Sequence, residues 1–403
     1  MEFISGGVCA PKGFKCAGVH CGIRKNKSKK DLALIVSEKI ANAAAVYTTN
    51  LVKGAPLVVT KKNLANGKAQ AMICNSGNAN TCNANGIEIA EGMCGLVSKH
   101  LEIDKNDVIV ASTGVIGQPL SIEPIEKGMP ELVKKLGDNS FDASCAIMTT
   151  DTVRKEVAVS FRIGDAECRI GGIAKGSGMI HPNMATLLVF LTTDTLISAE
   201  LLREAISEDV RDTFNMVSVD GDTSTNDMLS IMANGLAQNK EITEKGEDYE
   251  TFKKALNLVT SYLCRLIAKD GEGATKLIEV KVTNALDDTN AKKIAKSVVT
   301  SSLFKAAMFG ADANWGRVLC AIGYSGAVVD VNKINVKFVS VDGSISVCEM
   351  GAGLDFDEDI AKKVLTADEI TVEVECGDGK GHAFAWGCDL TYDYVKINGD
   401  YRT

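Results

Sequence analysis

Long apolar runs are missing from this 403-residue chain. The stretch 187–191 (LLVFL) is far below the roughly 20 residues a membrane-spanning helix requires, and mean hydropathy is close to zero at +0.05. A surplus of positive charge is also missing. Lys and Arg number 44 against 52 Asp and Glu, a net charge of −8, which disfavours nucleic acid or an anionic membrane as partner. Proline is scarce, at six residues, and no Pro/Ser-rich linker divides the chain. None of the thirteen cysteines pairs into CxxC. Scattered thiols of this kind are expected to be reduced and mostly buried, as in a cytosolic protein. The start, MEFISGGVCAPKGFK, lacks a basic segment followed by an apolar core. No secretory signal is therefore expected, and the cytoplasm is the expected location.

What is present describes an ordinary globular protein, 45% hydrophobic and 24% charged. At this length, two domains or one large two-lobed unit is the expectation. Strands are expected at 31–38, 55–60, within 69–80, at 107–117 and at 275–285. A hairpin is expected over 155–178, and its second strand runs into a glycine loop. Helices are expected at 87–101, from 139 towards 153, at 198–215 behind a capping Ser198, at 249–268 and at 288–302. Residues 222–235 lead into a helix or a strand, and the tail from Lys333 is strand-rich. Elements partly alternating and partly segregated predict α+β layers, not a doubly wound sheet.

Several loops invite a chemical reading and fail it. GGIAKGSG (171–178) has Ser177 where a phosphate-binding Walker loop needs lysine. DGDTSTND (220–227) has calcium-like acid spacing but lacks the sixth-position glycine and the twelfth-position glutamate, so it is expected to cap helices or order a turn. Cys9, Cys16, Cys21 and His20 lie close in sequence but fit no common zinc spacing. The basic run RKNKSKKD (24–31) lies between two expected strands and reads as a solvated hairpin tip. There is no GxSxG elbow. His181, one of four histidines, sits in a His-Pro-Asn turn where a loop role is favoured.

Thr186 remains. It follows small Ala185 and the loop containing Gly176 and Gly178, and it opens an apolar strand. A threonine in mid-chain has no base beside it. A threonine at a chain start carries its own, the α-amine, with a reference pKa near 8. Breaking the 185–186 bond would supply that amine. Acyl transfer also needs an oxyanion site, and STG (112–114) at a strand end offers the Thr113 hydroxyl and the Gly114 N–H. Spacing alone does not separate these readings from a strand-start threonine and a common turn.

The combination does. NSGNAN (75–80), STGVIG (112–117), IMTTDT (147–152), KGSGMIHPNMATLL (175–188), SVDGDTSTND (218–227), KDGEGATK (269–276), GADANWGR (310–317) and NGDYRT (398–403) stand in the order and spacing of one family. The chain closely resembles, nearly end to end, the ornithine acetyltransferases of arginine biosynthesis, also called glutamate N-acetyltransferases. The resemblance implies a layered two-lobed α+β fold that cuts itself between Ala185 and Thr186. The products would be fragment 1–185, carrying the oxyanion hole, and fragment 186–403, starting with the nucleophile.

Thr113 and Gly114 match the oxyanion pair. Thr149, Lys175, Thr186, Glu272, Asn398 and Thr403 match the substrate-contact positions, with Thr150 adjacent to Thr149. No metal or organic cofactor is implied. The implied partners are N-acetylornithine, glutamate and the chain's own second fragment, in a heterotetramer of two copies of each fragment. Some members also accept acetyl-CoA, but nothing in this sequence marks a CoA pocket, so monofunctional and bifunctional readings both stay open. The alternatives are an autoprocessed N-terminal-threonine amidohydrolase and a non-enzymatic binding protein with an uncut chain.

Overall fold

Residues 188–191 are all buried, yet alternate side chains serve different cores. Leu188 and Phe190 join one apolar cluster, Val189 and Leu191 another. This period of two marks a strand covered on both faces. The strand lies near the middle of the larger of two sheets. The computed structural model describes residues 1–181 and 187–400, and within them the architecture is α+β.

The N-terminal half supplies β1 (Glu2–Ile4), β2 (Phe14–Val19), β3 (Leu32–Tyr47), β4 (Lys68–Asn78) and β5 (Val108–Val115). The hairpin of β6 (Lys155–Ile163) and β7 (Ala166–Lys175) follows, then β8 (Leu188–Thr193). Strand β9 (Val217–Ser218) joins the second sheet, and β10 (Met228–Ala233) returns to the first. The first sheet runs β1-β6-β7-β8-β10-β3-β4-β5, with β2 also paired to β3. Strands β8 and β10 are parallel, as are β4 and β5, and the other neighbours are antiparallel. The second sheet collects β11 (Leu277–Ala285), β12 (Asn335–Ser340), β13 (Gly343–Glu349), β14 (Ala352–Gly353), β15 (Glu369–Glu375) and β16 (Gly381–Cys388).

Helices α1 (Ala55–Asn63), α2 (Gly86–Leu101), α3 (Glu123–Lys134) and α4 (Phe141–Ile147) pack around β2 to β5. Helix α5 (Ala199–Asp209) covers β3, and the 23-residue α6 (Glu247–Lys269) lies between the sheets, against β6 and β7 on one side and β11 and β16 on the other. Its apolar stripe of Phe252, Leu256, Val259, Leu263 and Ile267 is fully buried, at the spacing expected of a helix face. Helix α7 (Asp288–Thr300) packs on β11 and β16, and α8 (Ser302–Phe309) and α9 (Trp315–Gly323) follow it. Helix α10 (Glu358–Leu365) lies on β12 and β13, and α11 (Tyr392–Gly399) ends the described chain.

One expected strand is a helix. APLVVT (55–60) forms the first turns of α1. Gly54 precedes it, Pro56 sits in its first turn, where a missing N–H costs nothing, and Pro56, Leu57, Thr60 and Asn63 are buried while Val58, Lys61 and Lys62 are exposed. The helix expected over 198–215 stops at Asp209, and 222–235 resolves to strand β10. Ser198 does cap α5, accepting the Leu201 N–H. The basic run links β2 to β3, with Lys25, Lys27 and Lys29 exposed. Eight of the thirteen cysteines are buried, and all are free.

Phe252 packs edge-on against Phe161 of β6, ring centroids 6.4 Å apart. Phe252→Ala should cost about 3–5 kcal/mol, measured by urea unfolding. A loss below about 1 kcal/mol would show that α6 does not hold the sheets together.

Candidate active site

The two strand ends flanking the glycine loop are neighbours. Lys175, last in β7, pairs with Leu188, first in β8, and Leu188 pairs with Met228 of β10. The Leu187 carbonyl accepts the Met228 N–H at 2.9 Å. Ala185 and Thr186 lie outside the described residues, as does Thr403. The other six predicted positions come together. Thr113, Gly114, Thr149, Lys175, Glu272 and Asn398 all line one cavity of about 310 Å³, and Thr150 lines it too.

One wall is the end of β5. Gly114 has φ +134°, and a Cβ there would fall 2.3 Å from the Gly77 carbonyl carbon and 2.5 Å from the Asn78 nitrogen. Only glycine lets β5 lie this close to β4. Asn226 fastens the same wall. Its side-chain amide donates to the Ala79 carbonyl at 2.6 Å and the Ser112 carbonyl at 2.9 Å, while its oxygen accepts from the Thr81 and Thr225 hydroxyls. Lys175 Nζ donates to Thr113 Oγ1 at 3.2 Å. Thr113 thus accepts from an ammonium and keeps its own hydroxyl proton for another acceptor.

The opposite wall carries the charges. Burial pulls the Lys175 ammonium below its ordinary value, and Lys155 pushes it the same way, while Asp151 and Asp227 oppose this. The Glu272 carboxylate lies against Gly178, where an added Cβ would sit 2.3 Å from the Glu272 Cδ. Asn398 of α11 donates to Glu272 Oε2 at 2.8 Å. Thr149 is placed by its N–H, which donates to Asp151 at 2.9 Å. A cation and an anion therefore share one small cavity beside a hydroxyl donor.

A family model described as the ArgJ family matches residues 15–403. This chain belongs to the ArgJ family. The arginine biosynthesis bifunctional protein ArgJ of Caldanaerobacter subterraneus subsp. tengcongensis is 51% identical over 405 residues, covering 100% of each chain. ArgJ 1 of Clostridium acetobutylicum is also 51% identical, over 97% of this chain and 96% of that protein. A crystal structure of the Bacillus halodurans ArgJ protein matches with a TM-score of 0.50 and 47% identity, covering 53% of this chain and 98% of that one. Membership of ArgJ makes the chain an acyltransferase of arginine biosynthesis. Among the described residues no group of His, Cys, Asp and Glu could hold a metal ion, and no helix is long and apolar enough to cross a membrane.

Other residues of this ArgJ site escaped the sequence reading. Asp151, Lys155 and Asp270 form a buried ion-pair cluster behind the charged wall. Asn226 and Asp227 sit in a motif that carries the resemblance, yet nothing in their spacing gives them a role. Asp227 is buried and its Oδ2 has no hydrogen-bond partner among the described residues. Burial raises its carboxyl well above the usual range, against the pull of Ser224, Lys175 and Thr48. Asp220, from the calcium-like loop, orders a turn as expected. Its carboxylate accepts the Met179, Ile180 and Asp222 N–H groups.

His181 packs its Nδ1 against the Ser218 hydroxyl at 3.1 Å. Burial, with the Lys296 ammonium acting in the same direction, depresses it to about 4. The unfolded chain binds a proton here below about pH 6.5 that the folded chain takes up only near pH 4. This residue's share of stability is therefore intact above pH 6.5 and is lost as pH falls towards 4. His181→Gln should show a shallower fall in thermal midpoint across that window than the parent chain. Parallel curves would contradict the assignment.

Proposed function

We propose that the chain cuts itself between Ala185 and Thr186 and then moves acetyl from N-acetylornithine to glutamate. The observation that carries this reading is the gathering of Thr113, Gly114, Thr149, Lys175, Glu272 and Asn398 around one cavity. These six residues come from five separated stretches of sequence. Their convergence at the mouth of β7 and β8 supports a shared task at Thr186, the residue before Leu187.

In the cut, the Thr186 hydroxyl adds to the Ala185 carbonyl carbon, and the peptide bond gives way to an ester. Water hydrolyses that ester, leaving a carboxylate on Ala185 and a free amine on Thr186. In turnover, the Thr186 hydroxyl adds to the acetyl carbonyl of N-acetylornithine, and its own amine takes the proton. The Thr113 hydroxyl and Gly114 N–H stabilise the oxyanion, each worth about 3–4 kcal/mol in comparable sites. The departing ornithine nitrogen regains the proton from that amine. Glutamate's amine then attacks the acetyl ester, N-acetylglutamate leaves, and Thr186 is restored. Lys175 meets the substrate carboxylate, and Glu272, steadied by Asn398, meets an ammonium. Thr149 and Thr403 complete the substrate contacts.

Two further facts support cleavage. The Bacillus halodurans chain is almost entirely covered by 53% of this one, the proportion of a fragment, and residues 186–403 make up about 54% of this chain. Separation of the fragments is opposed by the sheet order. Strands β8 and β10 lie between β7 and β3, so each fragment's strands are bonded to the other's along both seams.

The test combines a denaturing gel with an acetyl-transfer assay. Native protein should run as two bands of 185 and 218 residues and, without glutamate, should release no more than about one equivalent of ornithine per site, with continued release only when glutamate is present. Thr186→Ala should remain a single 42.7 kDa chain, with transfer lowered by about 10³-fold or more. Cleavage and transfer surviving in that variant would refute the proposal. Multiple-turnover ornithine release in the absence of glutamate would favour the amidohydrolase. The curated relatives are named bifunctional, and an arm with acetyl-CoA as donor reads the second activity.

A further inference from the structure

Lys155 is buried completely at the start of β6 and lines no part of the catalytic cavity. Its ammonium has three acceptors. Asp151 Oδ1 lies at 2.7 Å, Asp270 Oδ2 at 2.6 Å and the Val153 carbonyl at 3.4 Å, and an ammonium has three protons to give. Each carboxylate holds part of the charged wall. Asp151 accepts the Gly176 N–H at 2.7 Å through one oxygen and the Thr149 N–H at 2.9 Å through the other. Asp270 accepts the Thr152 N–H and hydroxyl. The Asp270 carbonyl accepts the Ser177 hydroxyl at 2.6 Å, and the Ser177 carbonyl accepts the Glu272 N–H at 2.9 Å.

Three chain segments, 149–153, 175–178 and 270–272, are thus linked through the two aspartates that share one nitrogen. The backbone of the oxyanion wall is not. Thr113 and Gly114 are held by the β4–β5 pairing and by Asn226, and the walls meet where Lys175 Nζ donates to the Thr113 hydroxyl.

We propose that Lys155 is a positioning residue for substrate, holding Thr149, Lys175 and Glu272 in place through Asp151 and Asp270 without touching substrate itself. The proposal rests on the acetyl-transfer reading and assigns the two walls separate supports. Loosening Lys155 weakens the grip on both amino acids, while the backbone of the oxyanion wall, with its Gly114 N–H, stays in place and only the Lys175–Thr113 bond links the two effects. Two buried carboxylates without their cation repel each other, and a wall displaced by about 1 Å can cost up to about 100-fold in turnover efficiency.

The test is steady-state kinetics on Lys155→Met and Asp270→Asn, normalised to the amount of self-cleaved protein. Asp270→Asn keeps the shape of the acceptor and removes its charge, so it decides the matter if Lys155→Met does not fold. Wild-type chain is assayed first. Absence of acetyl transfer there sinks the function reading itself, independently of Lys155. With transfer present, KM for N-acetylornithine and for glutamate should each rise about ten-fold in Lys155→Met and about three-fold in Asp270→Asn, with kcat within about three-fold of wild type. A purely structural residue would lower yield or thermal midpoint and leave both KM values unchanged. That result, or a loss confined to kcat, overturns the proposal.

Discussion

A single buried ammonium, Lys155, held between Asp151 and Asp270, is the constraint on which the charged half of the site depends. Taking three charges out of water is expensive, and their mutual attraction offsets the cost only with good geometry and satisfied hydrogen bonds. Here the bonds are present. Burial alone would raise the Asp151 carboxyl, but the Lys155 and Lys175 ammoniums, with the Gly176 N–H, hold it well below the carboxylate range. Asp151 thus stays charged at neutral pH, and the directional bonds of the cluster tie the ends of the β6–β7 hairpin to the loop at 270–272. Apolar packing is non-directional and could not define their mutual angles so closely.

The site has two walls with two kinds of support. The oxyanion side is backbone brought close to backbone, which needs glycine at 114 and an asparagine, Asn226, whose side-chain oxygen and amide are both used. The substrate side is a set of loops tied to buried charge. This division suits a catalyst whose donor and acceptor share an amino-acid head but carry side chains of opposite charge. In the proposed transfer, oxyanion geometry is the same in both half-reactions. On that proposal the substrate side accepts ornithine and glutamate in turn, and a cavity holding both Lys175 and Glu272 offers a partner for either sign. The interlaced sheet adds a mechanical point. The proposed cut lies in the chain between β7 and β8, and the ladder bonds those two strands make to each other and to β10 would keep their ends aligned.

Much of the fold was legible because strands and helices announce themselves by burial period. Strand β8, the β6–β7 hairpin, α2 and α6 follow directly from apolar spacing. APLVVT misled because a β-branched run outweighed Gly54 and Pro56, which mark a helix start. Helices α8, α9 and α10 span only eight or nine residues, and the polar sequence around α11 gives little amphipathic signal, so tertiary contacts decide them; in the 12-residue α3, Pro130 within the run hides the helix. The convergence of Thr113, Lys175, Glu272 and Asn398 on one cavity was visible only through resemblance, since no local pattern predicts contacts across more than 200 residues. Lys155 was invisible for another reason. A lysine opening a strand reads as a solvated residue, and its carboxylate partners lie 4 and 115 positions away.

The central claim is that acetyl rests on Thr186 between donor and acceptor. Mixing the protein with N-acetylornithine in the absence of glutamate, quenching in acid and weighing the fragments by mass spectrometry tests this most directly. The account predicts one acetyl group added to fragment 186–403, located on its first residue and lost when glutamate is added before the quench. An unmodified fragment 186–403 together with released ornithine, or an acetyl group on any other residue, would contradict it.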